Sequence, residues 1–167
     1  MQKASNLQGK WQQNMLFLLI ALLIAAADQL SKIWIRANLD IGQSLFEAGF
    51  FRITYVHNTG AAFGLFQGQS FALTIVALVG IGVLLFYALL VYHHFPLLNN
   101  KLNRLALGLV FGGTIGNLID RLRFGYVTDF IDFGFWPAFN IADSAITVGV
   151  IIFAYFSLRS LSGKHGG

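Results

Sequence analysis

Residues 71–92 read FALTIVALVGIGVLLFYALLVY and contain no charged side chain. A helix that crosses a bilayer needs about 20 mostly apolar residues, so this stretch is long enough to span one. The rest of the chain has a matching composition, because 56% of its 167 residues are hydrophobic and only 11% are charged. A typical soluble domain has about 25% charged residues. The sequence therefore predicts one domain, residues 1–167, that is solvated by lipid.

Three other apolar stretches also predict spans. The first is a span only if Asp28 and Lys32 are tolerated inside it. The third ends on Asp120, and the fourth carries the single charge Asp143. We therefore expect a membrane all-α bundle of four transmembrane helices. The predicted spans are residues 15–35, 71–92, 105–120 and 138–158.

The start of the chain has a second interpretation. Lys3 and Lys10, the apolar run 15–24 and the three alanines 25–27 are together similar to a cleavable signal peptide. However, the sequence continues after them as Gln-Leu-Ser-Lys-Ile-Trp, residues 29–34, which is typical of a helix at the membrane interface. This continuation favours a first span that is retained.

The basic residues are distributed unevenly along the chain. Cytoplasmic segments of membrane proteins are enriched in Lys and Arg. The N-terminal arm, the loop between the second and third spans, and the tail together hold six basic residues and no acid. We therefore expect both termini in the cytoplasm and all seven acids elsewhere. Because the basic residues are scattered between apolar runs, we expect no nucleic-acid partner. The six basic residues are Lys3, Lys10, Lys101, Arg104, Arg159 and Lys164.

The two connections on the outer side carry strand patterns. In residues 40–69, Phe51, Ile53 and Tyr55 recur at every second position, as in a half-buried strand. A turn sequence and a run of small residues follow over residues 57–64, and small residues let a backbone approach another group closely. The second connection contains an acidic and aromatic run, residues 127–133. We expect a small extracytoplasmic β-sheet over residues 40–69, with a periplasmic loop or helix.

Glycines repeat every four residues in the third span, at Gly108, Gly112 and Gly116. This spacing is typical of helices that pack closely in membranes. We interpret the three glycines as packing positions.

Two outer carboxylates have unlike surroundings. Asp143 opens the fourth span, where Asn140 and Asp143 have the spacing of a helix cap. A helix N-terminus also favours an ionised carboxylate. Asp129 has no neighbouring base and lies in the apolar run from Val127 to Ile131, where burial raises the pKa of a carboxyl group. One charged and one neutral carboxyl group are the working state of an aspartic protease.

Asp120 is a third outer acid and an alternative member of this pair. Arg121 follows it directly, so its expected structural role is an ion pair with Arg121. Asp28 and Lys32 lie four residues apart on one helix face, where we expect them to pair with each other.

Serine and metal chemistry have weaker support. His57 with Ser144 or Ser31 and an aspartate matches a serine triad only in residue types, and no G-x-S-x-G sequence accompanies it. The other three histidines fall on the predicted cytoplasmic side, and one outer histidine is a poor metal site. Since there is no cysteine, disulfides, thiol nucleophiles and thiolate metal sites are excluded.

Five blocks, in this order along nearly the whole chain, resemble the lipoprotein signal peptidases, also called signal peptidase II. Any one block is a weak match, whereas five in register are highly specific. The blocks are residues 28–32 (Asp-Gln-Leu-Ser-Lys), 58–63 (Asn-Thr-Gly-Ala-Ala-Phe), 112–121 (Gly-Gly-Thr-Ile-Gly-Asn-Leu-Ile-Asp-Arg), 127–131 (Val-Thr-Asp-Phe-Ile) and 139–144 (Phe-Asn-Ile-Ala-Asp-Ser).

The resemblance implies a bacterial aspartic endopeptidase that removes signal peptides from prolipoproteins. Such enzymes cut on the N-terminal side of a cysteine that carries a diacylglyceryl group. The family's catalytic pair matches Asp129 and Asp143, and its first-helix motif, which we interpret as structural, matches Asp28 and Lys32. The residues that match its polar support around the substrate are Asn58, Gly60, Asn117, Asp120, Arg121 and Asn140.

The resemblance also implies a setting for the reaction. It implies the bacterial inner membrane, with the active site on the outer face and no metal or cofactor. The expected partners are lipid-modified prolipoproteins and membrane lipids, and we expect a monomer. Residues 132–138, between the two catalytic blocks, are short compared with the family.

Two other classes also place acids in membranes. A transporter would hold them near mid-span, often with inverted repeats, whereas here they gather on one side. A structural assembly factor would account for the glycines. It would not account for Asn-x-x-Asp at both Asn117/Asp120 and Asn140/Asp143.

Overall fold

The computed structural model describes residues 2–60, 68–91 and 100–162. The small residues that were expected to approach a backbone or a ligand, Ala61, Ala62 and Gly64, lie outside these ranges, as does Tyr92 at the end of the second predicted span.

Four long helices form the body of the molecule. They are α1 (Gln2–Asn38), α2 (Ser70–Phe86), α3 (Lys101–Phe124) and α4 (Ile141–Ser162). After α2 the chain continues as a short π-helix over Tyr87–Val91. All four helices are long and apolar enough to cross a membrane. The predicted bundle of four membrane helices is therefore confirmed.

The helix ends depend on local capping groups. α3 does not stop at Asp120 but continues to Phe124. It ends because Gly125 adopts the left-handed conformation, with φ 77°, and donates its N–H to the carbonyl oxygen of Arg121. α4 begins at Ile141, directly after its capping residue Asn140, rather than at residue 138.

α3 is the central helix of the bundle. In the apolar window of α3, 61% of the residues are buried, against 11% in the window around α2. No residue between Ser70 and Phe86 is buried. α1 and α4 both pack on α3 and touch each other where Asp28 accepts the N–H of Ala142, whereas α2 lies at the periphery.

Glycines let α3 approach both neighbours, and the predicted packing positions Gly108, Gly112 and Gly116 all face α1, whereas Gly113, which was not predicted, faces α4. A Cβ atom on Gly112 would lie 2.5 Å from the carbonyl oxygen of Ala21 in α1. A Cβ atom on Gly113 would lie 2.5 Å from the carbonyl oxygen of Ala142 in α4. Since real Cβ atoms do not come this close to a backbone oxygen, both helix pairs depend on the missing side chains.

A three-stranded antiparallel sheet lies at one end of the bundle. Its strands, in spatial order, are β1 (Ser44–Ala48), β2 (Phe51–Asn58) and β3 (Val127–Asp132). The third strand comes from the second outer connection, so the sheet extends beyond the predicted segment 40–69. The pairing of β2 with β3 shifts between Ile53 and Val56. Because of this irregularity, Thr54 and Tyr55 are both buried and the predicted alternation breaks there.

A small apolar core fixes the sheet on the bundle. Ile35 and Leu39, at the end of α1, pack with Tyr55 of β2 and Phe130 of β3. After β3 the chain forms a loop that returns to the sheet, where Phe139 pairs with Ile131. This return brings the start of α4 next to β3.

Candidate active site

The structure brings Asp129 and Asp143 together through two asparagine side chains. Asn140 Nδ2 donates to Asp129 Oδ1 at 2.7 Å, and Asn117 Nδ2 donates to Asp143 Oδ1 at 2.8 Å. The two amides are joined as well, since Asn140 Nδ2 also donates to Asn117 Oδ1 at 3.1 Å. The carboxyl groups of β3 and α4 thus belong to one hydrogen-bonded cluster, with Asn117 of α3 between them.

Asp143 forms the predicted helix cap together with Asn140. The N–H of Asp143 donates to Asn140 Oδ1 at 2.9 Å, and the N–H of Asn140 donates to Asp143 Oδ2 at 3.3 Å. Each residue therefore satisfies a free backbone donor of the other at the first turn of α4. The Asp143 carboxyl group thus lies at the N-terminal end of the α4 dipole, the end that attracts negative charge.

Asp129 lies in a very different environment. Its side chain is almost completely buried, with 1% exposed. Burial, followed by the negative charge of Asp143, raises the pKa of Asp129 to about 7, although hydrogen bonds from Asn58 and Asn140 act in the opposite direction. The carboxyl group is therefore held mostly protonated below neutral pH, as the sequence predicted.

Asp120 does not pair with Arg121, so that prediction is wrong. Its oxygens lie 3.4 Å from Lys32 Nζ and 3.3 Å from Arg36 Nη1. It also accepts the backbone N–H of Thr128 at 2.9 Å. Successive residues on a helix point about 100° apart, so the side chain of Arg121 is directed elsewhere. It donates to the carbonyl oxygen of Gly60 at 3.0 Å.

The predicted pair of Asp28 and Lys32 forms, with a distance of 2.8 Å between Asp28 Oδ2 and Lys32 Nζ. Both side chains are completely buried. Asp28 Oδ1 also accepts the N–H of Ala142 at the start of α4. A Cβ atom on Gly116 would lie 2.5 Å from Asp28 Oδ2, so this glycine makes room for the carboxylate. The pair thus connects α1 with α3 and α4.

Three residues of the cluster were not predicted from the sequence to belong to it. Gln29 donates to Asp120 and to the carbonyl oxygen of Gly116, and Arg36 Nη1 donates to Thr128 Oγ1 at 2.8 Å. Arg36 follows Lys32 by one helical turn, and this spacing was a signal for it. Thr128 gives no such signal, because its role depends on where β3 lies relative to α1.

The residues required for a serine triad do not meet. The hydroxyl groups of Ser31 and Ser144 donate to the carbonyl oxygens of Asp28 and Asn140 in their own helical segments. His57 Nε2 instead contacts the hydroxyl group of Tyr55 at 2.8 Å, and its ring stacks on Tyr126. Burial, followed by the charge of Arg36, lowers the pKa of His57. Within residues 2–60, 68–91 and 100–162, no three His, Cys, Asp or Glu side chains are placed to hold a metal ion.

A cleft of about 540 Å³ opens beside the cluster. Asp143 lines it directly, whereas Asp129 lies behind Asn58, which donates to Asp129 Oδ2 at 2.8 Å. The cleft thus joins a polar floor to an apolar wall. The polar lining residues include Asn58, Asn117, Arg121 and Asp143, and the apolar ones include Val127, Trp136, Phe139, Ile146 and Val148.

Comparison with known proteins identifies this arrangement. The family model of signal peptidase (SPase) II matches residues 20–159. The chain belongs to the signal peptidase II family. A lipoprotein signal peptidase of Moorella thermoacetica is 50% identical over 151 residues, which cover 90% of this chain and 97% of the relative. One of Dehalococcoides mccartyi is 53% identical over 125 residues, which cover 75% and 78%.

Solved structures agree with this assignment to signal peptidase II. A bacterial membrane enzyme determined by the in meso method at 2.3 Å resolution superposes with a TM-score of 0.79 and 33% identity, covering 90% of this chain and 92% of the other. The protein is therefore a multi-pass membrane protease of the family that removes signal peptides from prolipoproteins. The five blocks that carried the resemblance all contribute residues to the buried cluster or the cleft.

Proposed function

We propose that the protein is an aspartic endopeptidase of the bacterial inner membrane in which Asp129 and Asp143 act as the catalytic pair. It cuts prolipoproteins on the N-terminal side of a diacylglyceryl-modified cysteine. The observation that carries this proposal is the contrast between the two carboxyl groups. Burial favours the protonated form of Asp129, while Asp143 lines the cleft at the start of α4 and accepts the N–H of Asn140.

The proposed reaction uses both forms. Asp143 takes a proton from water, the water oxygen adds to the scissile carbonyl carbon, and Asp129 gives its proton to the carbonyl oxygen. When the intermediate collapses, one of its hydroxyl groups returns a proton to Asp129, the C–N bond breaks, and the proton held by Asp143 passes to the leaving amine. General acid–base steps of this kind contribute about 10²–10⁴-fold to a rate.

The neighbouring polar residues support this chemistry. Asn117 and Asn140 orient the two carboxyl groups, and Arg121 holds the carbonyl group of Gly60 beside the cleft. Because Asn58 lies between Asp129 and the cleft, its amide must release Asp129 when the substrate binds. Asp28, Lys32 and Asp120 maintain the buried cluster below them.

The membrane setting fits a lipidated substrate. With both termini in the cytoplasm, the site lies at the outer surface, where a diacylglyceryl group places the bond next to it. The apolar wall of the cleft suits acyl chains. The protein acts as a single-domain monomer among membrane lipids and needs no metal or cofactor.

Cleavage by purified variants tests the proposal. Asp129→Asn and Asp143→Asn should each lower cleavage of a lipidated precursor by about 10²–10⁴-fold or more while leaving the protein folded, since an amide cannot exchange the proton. Asp132→Asn is the matched control, because Asp132 lies on the same strand but pairs with Arg52. Full activity of Asp129→Asn contradicts the proposed pair. Equal cleavage of an unlipidated precursor contradicts lipid recognition.

A further inference from the structure

Lys32 lies deep inside the cluster and has three polar neighbours. Its side chain is completely buried. Nζ lies 2.8 Å from Asp28 Oδ2 and 3.4 Å from Asp120 Oδ2, and it donates to Asn117 Oδ1 at 2.9 Å. The first two contacts are ion pairs, which maintain the fold. The third contact reaches the amide that holds Asp143.

The contact between Lys32 and Asn117 decides which way the Asn117 amide points. An ammonium group has three donors and no acceptor, so only the oxygen of an amide can face it. With Oδ1 held at Lys32, Nδ2 points to Asp143 and donates at 2.8 Å. The reversed amide would place a donor against the ammonium group and an oxygen against the carboxylate. The cation thus excludes one of the two orientations.

The Asn117 oxygen also contacts the amide that holds Asp129. Asn117 Oδ1 accepts a second hydrogen bond from Asn140 Nδ2, which also donates to Asp129 Oδ1. Asn140 is oriented by its own helix cap, in which Oδ1 accepts the N–H of Asp143, and Asn117 Oδ1 is the matching acceptor for its Nδ2. Both carboxyl groups of the proposed pair therefore receive their donors from two joined amides, and Lys32 fixes the orientation of the amide that holds Asp143.

We propose that Lys32 is a positioning residue of the proteolytic reaction, because its ammonium group sets the direction of the Asn117 amide, which holds Asp143 and accepts a hydrogen bond from the amide that holds Asp129. This inference rests on the proposed catalytic pair. It adds a role in the reaction to the structural role of the first-helix motif.

The charge of Lys32 predicts how the pH dependence of kcat/KM should change when the residue is replaced. Removal of the ammonium group takes away a positive charge that lowers the pKa of Asp129. Because Asp129 acts as the acid, the loss should move the alkaline limb of the kcat/KM profile to higher pH. The charged groups facing this centre are Asp28 and Arg36 of α1, Asp120 and Arg121 of α3, Asp129 of β3, and Asp143 of α4.

The test compares Lys32→Met with Lys32→Arg in the full chain, using a lipidated precursor in detergent over a range of pH. Lys32→Met should lower kcat/KM by about 10- to 100-fold, the effect of losing a hydrogen bond to a charged group. Its alkaline limb should move to higher pH, because the positive charge that lowers the pKa of Asp129 is gone. Lys32→Arg should leave the limb at its wild-type position, since the charge remains, although its activity falls with the changed geometry.

A packing variant controls for general loss of stability. Gly112→Ala disturbs the same α1–α3 interface without a charge, so its limb should stay in place. If Lys32→Met does not fold, Lys32→Met with Asp28→Asn removes the carboxylate that would lose its partner. Its limb should move in the same direction but less far. If neither variant folds, Lys32→Arg carries the test, and a limb displaced in that variant overturns the proposal.

A limb that is unchanged in folded Lys32→Met, as in Gly112→Ala, also overturns the proposal and leaves Lys32 a structural residue. The catalytic variants separate this result from a failure of the proposed function. If Asp129→Asn and Asp143→Asn are inactive while the limb of Lys32→Met is unchanged, only the role of Lys32 is wrong. If either aspartate variant is active, the catalytic pair itself is wrong.

Discussion

Asp129 combines almost complete burial with a charged neighbour, and this combination makes its ionisation costly for the folded protein. Its pKa is about 7 in the fold, against an ordinary value of 3.8. Between these values the folded state holds a proton that the unfolded state has lost. Stability should therefore decrease as the pH rises through this window.

The Asp129→Asn variant tests this dependence. The amide does not titrate, so the variant should lack the stability loss that the wild type undergoes between about pH 4 and pH 7. The difference in Tm should shift steadily in favour of Asp129→Asn as the pH rises. Thermal unfolding in detergent at several pH values gives the measurement. A difference that is independent of pH would show that Asp129 is ionised throughout.

Asp120 makes a contrasting prediction, because its partners are cations. Asp120→Asn removes a completely buried charge that faces Lys32 and Arg36. Breaking a buried pair costs about 3–5 kcal/mol, so Tm should fall clearly. Asp132→Asn, at a partly exposed pair with Arg52, should cost less than about 1 kcal/mol. A normal Tm and complete loss of cleavage for Asp120→Asn, with Asp129→Asn still active, would instead make Asp120 and Asp143 the catalytic pair.

Local sequence patterns correctly predicted the contacts of individual residues where both partners belong to one helix. The cap formed by Asn140 and Asp143 and the pair of Asp28 and Lys32 follow from spacing along one helix. The pairing of Asp120 with Arg121 was wrong because adjacency in sequence is not adjacency on a helix surface. The partners of Asp120 are far away in sequence, and only the assembled bundle determines them.

At the scale of elements, the glycines of α3 decide how closely the helices approach. Gly112→Ala should destabilise the protein by roughly 1–3 kcal/mol, because its Cβ atom meets the carbonyl oxygen of Ala21. Gly80→Ala in α2 is the matched control, since a Cβ atom there meets nothing within 4 Å. Thermal unfolding in detergent compares the two variants. Equal Tm values would mean that the α1–α3 contact is looser than in this structure.

The sheet was predicted less completely than the helices. The period-two pattern indicated β2, but the register shift next to Thr54 and Tyr55 leaves both side chains buried. The sequence of β3 is mostly apolar, and such a sequence is compatible with a strand, a helix or a loop. It becomes a strand because β2 lies beside it and because Asp120 accepts the N–H of Thr128. Both features depend on tertiary contacts that a single sequence does not specify.

At the scale of the whole molecule, the distribution of charge predicts the orientation in the membrane. Reporter fusions after Lys10, Asn100 and Lys164 should read cytoplasmic, because the segments around them hold basic residues and no acid. Fusions near Gln67 and Phe133 should read external. Active reporters on both sides of the membrane provide the measurement. An external signal at Asn100 would reverse the orientation and move the active site to the cytoplasm.

The contact between Asp28 and Lys32 also bears on how the protein is made. α1 is synthesised before α3 and α4, so for a time these two residues lack every partner except each other. A single charge at the centre of an inserting helix costs about 2.5–3.5 kcal/mol. Because the two residues lie one helical turn apart and pair at 2.8 Å, α1 can enter the bilayer as a neutral segment. Exchanging residues 32 and 33, as Lys32→Ile with Ile33→Lys, keeps the composition but breaks the spacing. Insertion of α1 alone should then become less efficient in a translocon assay, and equal insertion would mean that the pair serves only the finished fold.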